Sequence, residues 1–221
     1  MKLIELSGYS FQSRKTGKPF KPFDFSISQG DVASISTDSS GDALTFLKVL
    51  ATLVHPLQGE YRFKQVRLNF SSYKNLLETK KKIGFISSYA ALINNRSVRE
   101  NLLLMSAYHT NVLSTELDQT AQNLCALFSI ENKLALRPAA LTGTEYRNAV
   151  TVRELIKAPE VLIIEYPERH IGFSNLEIFS RIVRELLDRD VGIVFVSEYK
   201  KFIETFSRKK VVISRGTLRT I

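Results

Sequence analysis

The chain has a single cysteine, Cys125. One cysteine closes no internal disulfide, and its place in an apolar helical stretch predicts a small buried hydrophobe in a reducing compartment. No stretch approaches the roughly 18 consecutive apolar residues of a membrane-spanning helix. Met1 to Gly8 lacks the tripartite pattern of a secretory signal, so a soluble, intracellular protein is expected. Internal repeats and low-complexity tracts are absent too, which predicts one continuous domain over residues 1–221. The three histidines, His55, His109 and His170, stand far apart with no acidic or cysteine neighbour at ligand spacing, so no metal site is expected. No Ser/His/Asp or Cys/His constellation can be assembled either.

What the chain does have is 221 residues with 44% hydrophobic and 24% charged side chains, enough for one sizeable core. Its formal charge of +9 would attract an anionic surface. The clusters Lys80-Lys81-Lys82 and Arg208-Lys209-Lys210 are nevertheless short, lie in different segments and have no interleaved stacking aromatics. A solvated surface is therefore the favoured reading, a membrane- or partner-facing role the next, and nucleic acid is not expected.

Four apolar runs read as strands: Val32 to Ser36, Val161 to Ile164, Ile193 to Val196 and Val211 to Ile213. Three lack polar alternation, as parallel strands buried on both faces do. Ser174-Asn175-Leu176-Glu177 has capping-box spacing ahead of an apolar helical face through Phe179, Ile182, Val183, Leu186 and Leu187. Val161 to Val196 is thus expected to form a βαβ unit. A second helix is expected over Leu44 to Leu53, after a strand and a Ser-rich turn, the layout of a phosphate-binding loop. The rest of Met1 to Phe70 suggests antiparallel strands. Residues 89–148 read as helical, most clearly over Val98 to Met105 and Leu117 to Phe128.

The turn Thr37-Asp38-Ser39-Ser40-Gly41-Asp42-Ala43-Leu44-Thr45 resembles the Walker A loop of ABC ATPases in place and length, although it fails the GxxxxGK[ST] pattern. Ile83-Gly84-Phe85-Ile86 followed by Ser97-Val98-Arg99-Glu100-Asn101-Leu102 resembles the Q-loop strand and the entry to the family's helical lobe. Leu141-Thr142-Gly143-Thr144-Glu145 is similar to the LSGGQ signature, and Leu162-Ile163-Ile164-Glu165-Tyr166-Pro167 to Walker B. Val194 to Glu198 is similar to the switch strand, and Ile213 to Leu218 to the closing hairpin. The segments stand in family order and spacing across nearly the whole chain. The resemblance implies an α/β, P-loop NTPase-like ABC cassette: a RecA-like core, an N-terminal antiparallel β subdomain and a helical subdomain over 89–148.

The same resemblance marks what is missing. In a working loop, glycines let backbone N–H groups close on phosphates, a lysine reaches the β and γ phosphates, and a hydroxyl binds magnesium. Here Ala43 holds the lysine position, Thr37, Ser40 and Asp42 replace glycines, Leu44 replaces the hydroxyl, and Ser39, Gly41 and Thr45 complete a vestigial loop. Lost charge-assisted bonds remove roughly 1.5–3 kcal/mol each, and a carboxylate at Asp42 facing phosphate would cost about 4 kcal/mol, so affinity should fall by about three orders of magnitude or more. Pro167 sets a register in which Glu165 stands at the magnesium-associated aspartate and Tyr166 at the catalytic glutamate; a slip of one residue would leave Ile164 on the metal side. A phenol is a poor base at neutral pH. Glu198 takes the switch histidine position, where it would face a γ phosphate, and Ser88 takes the Q-loop glutamine position. Phe11 stands where the family's A-loop aromatic stacks on adenine, with core packing as the alternative.

These residues imply a non-hydrolysing subunit, peripheral on the cytoplasmic face of a membrane, that pairs with an active cassette and a permease and transmits conformational change. No nucleotide of its own is expected; a partner's Mg-ATP could meet Thr142, Gly143, Thr144 and Glu145, with a wholly vestigial loop as the alternative. Leu92, Ile93, Val98 and Leu102 either line a groove for the permease or pack the lobe. Two rival readings stand beside this one. The first is a weakly active transport ATPase with a lysine in trans or at Lys48. The second is a free-standing regulatory or scaffold protein with a basic surface for anionic lipid or nucleic acid.

Overall fold

A computed structural model describes residues 1–110 and 116–221, with the backbone alone for 105–110. Near the N-terminus β1 (Lys2–Ser10), β2 (Phe23–Ser28), β4 (Gln58–Phe63) and β5 (Val66–Arg67) form an antiparallel sheet of order β2-β1-β4-β5. Its crowded point is at Gly59, φ +88°, where a Cβ would come within 2.3 Å of the Gly8 carbonyl oxygen. Only glycine fits that crossing.

The second sheet runs β10-β9-β3-β8-β7-β6, built from β3 (Val32–Thr37), β6 (Ile83–Ile86), β7 (Val161–Glu165), β8 (Gly192–Val196), β9 (Lys209–Ser214) and β10 (Thr217–Thr220). All of its pairings are parallel except the β9–β10 hairpin. Every residue of β7 and β8 is buried, as expected of central strands covered on both faces. Period-two alternation divides them: Val161, Ile163, Val194 and Val196 face one core cluster, while Leu162, Ile164, Ile193 and Phe195 face the other.

The first cluster holds α1 (Ser40–Leu50) between the two sheets. Phe46 stacks edge-on against Phe23 and Phe25 at 6.0 and 5.2 Å. The other face of the parallel sheet is covered by α5 (Gly143–Ile156), α7 (Phe173–Asp188) and α8 (Lys200–Phe206). Between β6 and β7 the described elements are helical: α3 (Val98–Thr110), α4 (Gln119–Leu127), two short 3₁₀ turns and α5. Asn148, the expected end of the helical segment, lies inside α5. Cys125 is buried in α4. No helix among the described residues is long and apolar enough to cross a membrane.

The structure corrects three local expectations. Helix α1 begins at Ser40 rather than Leu44 and ends at Leu50 rather than Leu53, because Ser39 caps it and Thr52 turns to φ 58°. The capping box expected at Ser174 and Glu177 is not formed: α7 already starts at Phe173, after Gly172 at φ +83°, and has no side-chain cap. The boxes lie elsewhere. Thr142 and Glu145 cap α5, and Ser97 and Glu100 exchange the same pair of bonds ahead of α3, at 2.7 and 3.2 Å. Two short helices, α2 (Tyr73–Lys81) and α8, are additions to the elements expected from the sequence.

Candidate functional site

The turn between β3 and α1 is closed on itself. The Thr37 hydroxyl donates to the Ser39 carbonyl and accepts from the Ser39 N–H, both at 2.9 Å. The Asp38 N–H reaches the Ile213 carbonyl, and the Asp42 and Ala43 N–H groups return to Ser39. Backbone donors that could cradle phosphates are thus engaged within the protein. Ser40 and Gly41, in the first turn of α1, are the positions whose N–H groups have no partner within their own helix. Thr45 turns its hydroxyl back to the Gly41 carbonyl at 2.8 Å, and Ala43 is fully buried.

Asp42 is a correction. Its carboxylate is 3% exposed and accepts from the Ser13 hydroxyl and the Arg14 N–H, both at 2.9 Å, and from the Lys15 N–H at 3.4 Å. It ties residues 13–15 to the start of α1 instead of confronting a ligand. The expected direct repulsion is therefore not how this residue acts; it acts by holding a neighbouring loop. Phe11 is likewise core: it is fully buried, stacked on Phe20 at 4.3 Å and edge-on to Phe23, so its face is not free for adenine. Lys48 lies over the ring of Tyr89 at 4.4 Å, on the far turn of α1.

At the end of β7, Glu165 is 7% exposed, and its Oε2 accepts from the Ser87 hydroxyl (2.6 Å), the Ser88 N–H (3.0 Å) and the Ser88 hydroxyl (2.9 Å). The Q-loop position and the Walker B position are thereby joined without a metal between them. Tyr166 follows in the left-handed region, φ 41° and ψ 68°, and its N–H bonds the Val196 carbonyl at 2.8 Å. Such a conformation is costly for a residue with a Cβ and concentrates at functional sites. Burial first, then Glu198, raises the Tyr166 hydroxyl above its ordinary pKa, against the lowering pull of Arg169. It is still less fit to be a base than a free phenol.

Glu198 requires a second correction. It is exposed and pairs with Arg169 at 2.5 Å, while the Arg169 guanidinium also covers the Tyr166 ring at 4.4 Å. Its charge is met at the surface instead of being directed at a ligand. The carboxylate turned inward here is Glu168, 7% exposed, which accepts from the Ser197 hydroxyl and the Glu198 N–H, both at 2.8 Å. Sequence reasoning missed Glu168, Arg169, His170 and Arg147. The first three follow Pro167 directly, so their place was legible although their directions were not.

A cavity of about 350 Å³ opens among these parts. Ser40, Gly41 and Leu44 of α1 form one wall and Ser88 and Tyr89 another; Glu165, Tyr166 and Arg169 rise from β7 and α6 (Pro167–His170), with Arg147 of α5 and His170 opposite. His170 is 4% exposed, and neither ring nitrogen has a hydrogen-bond partner; the Arg147 backbone approaches the ring without closing a bond. Burial, with help from the Arg147 charge, pushes its pKa down to about 4, so the ring is neutral at physiological pH. His55, by contrast, packs against Phe70 at 5.4 Å, and the side chain of His109 lies outside the described residues.

The signature segment stands at the surface. Thr142, Gly143 and Thr144 are exposed, and Glu145 is engaged by the Thr142 N–H at 2.8 Å and by Lys133 at 3.1 Å. In the lobe entry, Leu92, Val98 and Leu102 are buried and pack the lobe, while Ile93 and Arg99 remain exposed. Asn101 clamps the preceding loop through the Ile93 N–H and carbonyl and the Ser97 carbonyl. The pattern Ser97 to Leu102 therefore has a structural reason of its own.

Known proteins place this arrangement. The family model described as ABC transporter matches residues 20–168. The lipoprotein-releasing system ATP-binding protein LolD of Cytophaga hutchinsonii is 25% identical over 219 residues, covering 99% of this chain and 100% of its own length. LolD of Buchnera aphidicola subsp. Acyrthosiphon pisum is 27% identical over 167 residues, 75% of this chain and 73% of its own. Among solved structures, the dimeric bacterial ABC transporter cassette MJ0796 superposes with a TM-score of 0.83 at 18% identity, over 99% of this chain and 98% of that one. With the family matched over more than half its length and the cassette fold shared end to end, the chain belongs to the ABC transporter family and carries its ATP-binding-cassette domain.

Proposed function

We propose that this chain is a non-hydrolysing cassette subunit: it pairs with a second, active cassette and with a membrane permease, and transmits closure without turning over ATP itself. The observation that carries this reading is the phosphate-loop position. Ala43 is buried where a lysine would reach phosphate, and the Thr37, Ser39 and Thr45 groups bond to their own backbone. Tyr166, with its hydroxyl pKa raised, supports it from the opposite wall. No Mg-ATP is held tightly by this chain; Thr142 and Gly143 are placed at the surface, where a partner's Mg-ATP would meet them. The protein sits on the cytoplasmic face of a membrane through its permease.

The permease surface includes exposed Ile93 and Arg99, with the buried residues Leu92, Val98 and Leu102 as its support. Reversing the charge at Arg99 is the direct test, because an exposed charge affects association more than folding. Arg99→Glu is expected to reduce co-purification with the permease while the monomer keeps its unfolding midpoint. If Arg99→Glu and neighbouring exposed-site variants all fold and assemble as wild type, this docking surface is wrong.

A further inference from the structure

We propose that the cavity between α1, α5 and α6 is a site for a small, proton-bearing phosphate group held without magnesium or nucleotide, with Arg147 and His170 as its ligands. The inference rests on the non-hydrolysing reading of the same pocket and gives it a ligand. Two polar groups point to it independently. His170 is buried in the cavity wall with both ring nitrogens unpartnered. Arg147 has its Nε buried without a partner, and its Nη2 meets Thr144 Oγ1 at 3.5 Å, the outer limit of a hydrogen bond. Buried polar nitrogens ordinarily have partners, and two neighbouring side chains left without them at a cavity mark a place where something polar belongs.

The chemistry of the walls selects the occupant. Arg147 supplies a full positive charge, and the first turn of α1 at Ser40 and Gly41 supplies open N–H groups and roughly half a positive charge. Against them stands Glu165, whose Oε2 already accepts three hydrogen bonds. Arg169 adds little, being paired with Glu198. This balance suits a group of one to two negative charges and opposes the polyanionic tail of ATP. A neutral imidazole offers one donor and one acceptor. Hydrogen phosphate has both acceptor oxygens and a P–OH donor to match it; sulfate has no proton to give and is the natural discriminator.

The test is a calorimetric titration of the full chain at neutral pH and constant ionic strength with inorganic phosphate, sulfate, AMP and Mg-ATP in turn. Phosphate is expected to bind saturably at one site, sulfate to bind at least about tenfold more weakly, and Arg147→Met to weaken phosphate by at least about tenfold. Arg181→Ala, on α7 outside the cavity, should leave phosphate binding unchanged. His170→Phe should remove the preference over sulfate; if that buried variant does not fold, Arg147→Met carries the test alone. AMP competing with phosphate identifies a monoester as the ligand class, and its exclusion identifies the free ion; either supports the site. Absence of saturable phosphate binding, equal affinity for sulfate, or indifference to Arg147→Met overturns the phosphate site and leaves the non-hydrolysing reading standing. Tight Mg-ATP binding overturns that reading instead.

Discussion

At Asp42, the carboxylate expected to repel a phosphate instead collects three donors from residues 13–15. Charge-assisted bonds of this kind contribute about 1.5–3 kcal/mol each when buried, and removal of the acceptor leaves donors unsatisfied. Asp42→Ala is therefore expected to lower stability by about 2–4 kcal/mol in urea unfolding, with no gain in nucleotide affinity. Unchanged stability would mean that the bonds to residues 13–15 do not hold the loop. The same contrast runs through the site. That Ala43, Tyr166 and Ser88 replace the usual chemistry is legible in one dimension, because identity and spacing suffice. Where Glu198, Phe11 and Asp42 point is not, because each direction is set by a partner distant in sequence: Arg169, Phe20 and Ser13. Arg147 and His170 were hidden for the same reason, since they meet only once α5 and α6 are packed.

Among the elements, the buried strands were the most legible: uninterrupted apolar runs such as Val161 to Ile164 have no solvent face to disguise them. Helices α2 and α8 were not, because they are short and charged, and their few buried residues, such as Leu76, Phe202 and Phe206, give no long periodic stripe. Capping is the clearest failure of pattern alone. Three segments have capping spacing; Ser97/Glu100 and Thr142/Glu145 form the reciprocal bonds, while Ser174/Glu177 lies within a helix already begun at Phe173. Ser97→Ala and Thr142→Ala should each cost about 1 kcal/mol, and Ser174→Ala should stay within about 0.5 kcal/mol. Thermal unfolding of the three variants checks the ranking. A Ser174→Ala loss matching the other two would contradict the placement of the α7 start.

Across the whole molecule, α1 lies between an antiparallel sheet and a parallel one, and its first turn opens on the cavity shared with β7, α5 and α6. That architecture was legible because six segments keep cassette order and spacing over nearly the entire chain, each fixing the register of the next. The fold has kept the frame of a nucleotide site while the groups in it bond to one another: Thr37 to Ser39, Thr45 to Gly41, Glu165 to Ser87 and Ser88, and Glu168 to Ser197. A site arranged in this way needs no ligand to satisfy those groups, and with Ala43 in place of a cation it has little to offer a triphosphate. The measurement that tests this most directly is a calorimetric titration of the isolated chain with Mg-ATP through the physiological millimolar range. The account predicts no saturable binding; submillimolar affinity with the phosphates bound at residues 37–45 would contradict it.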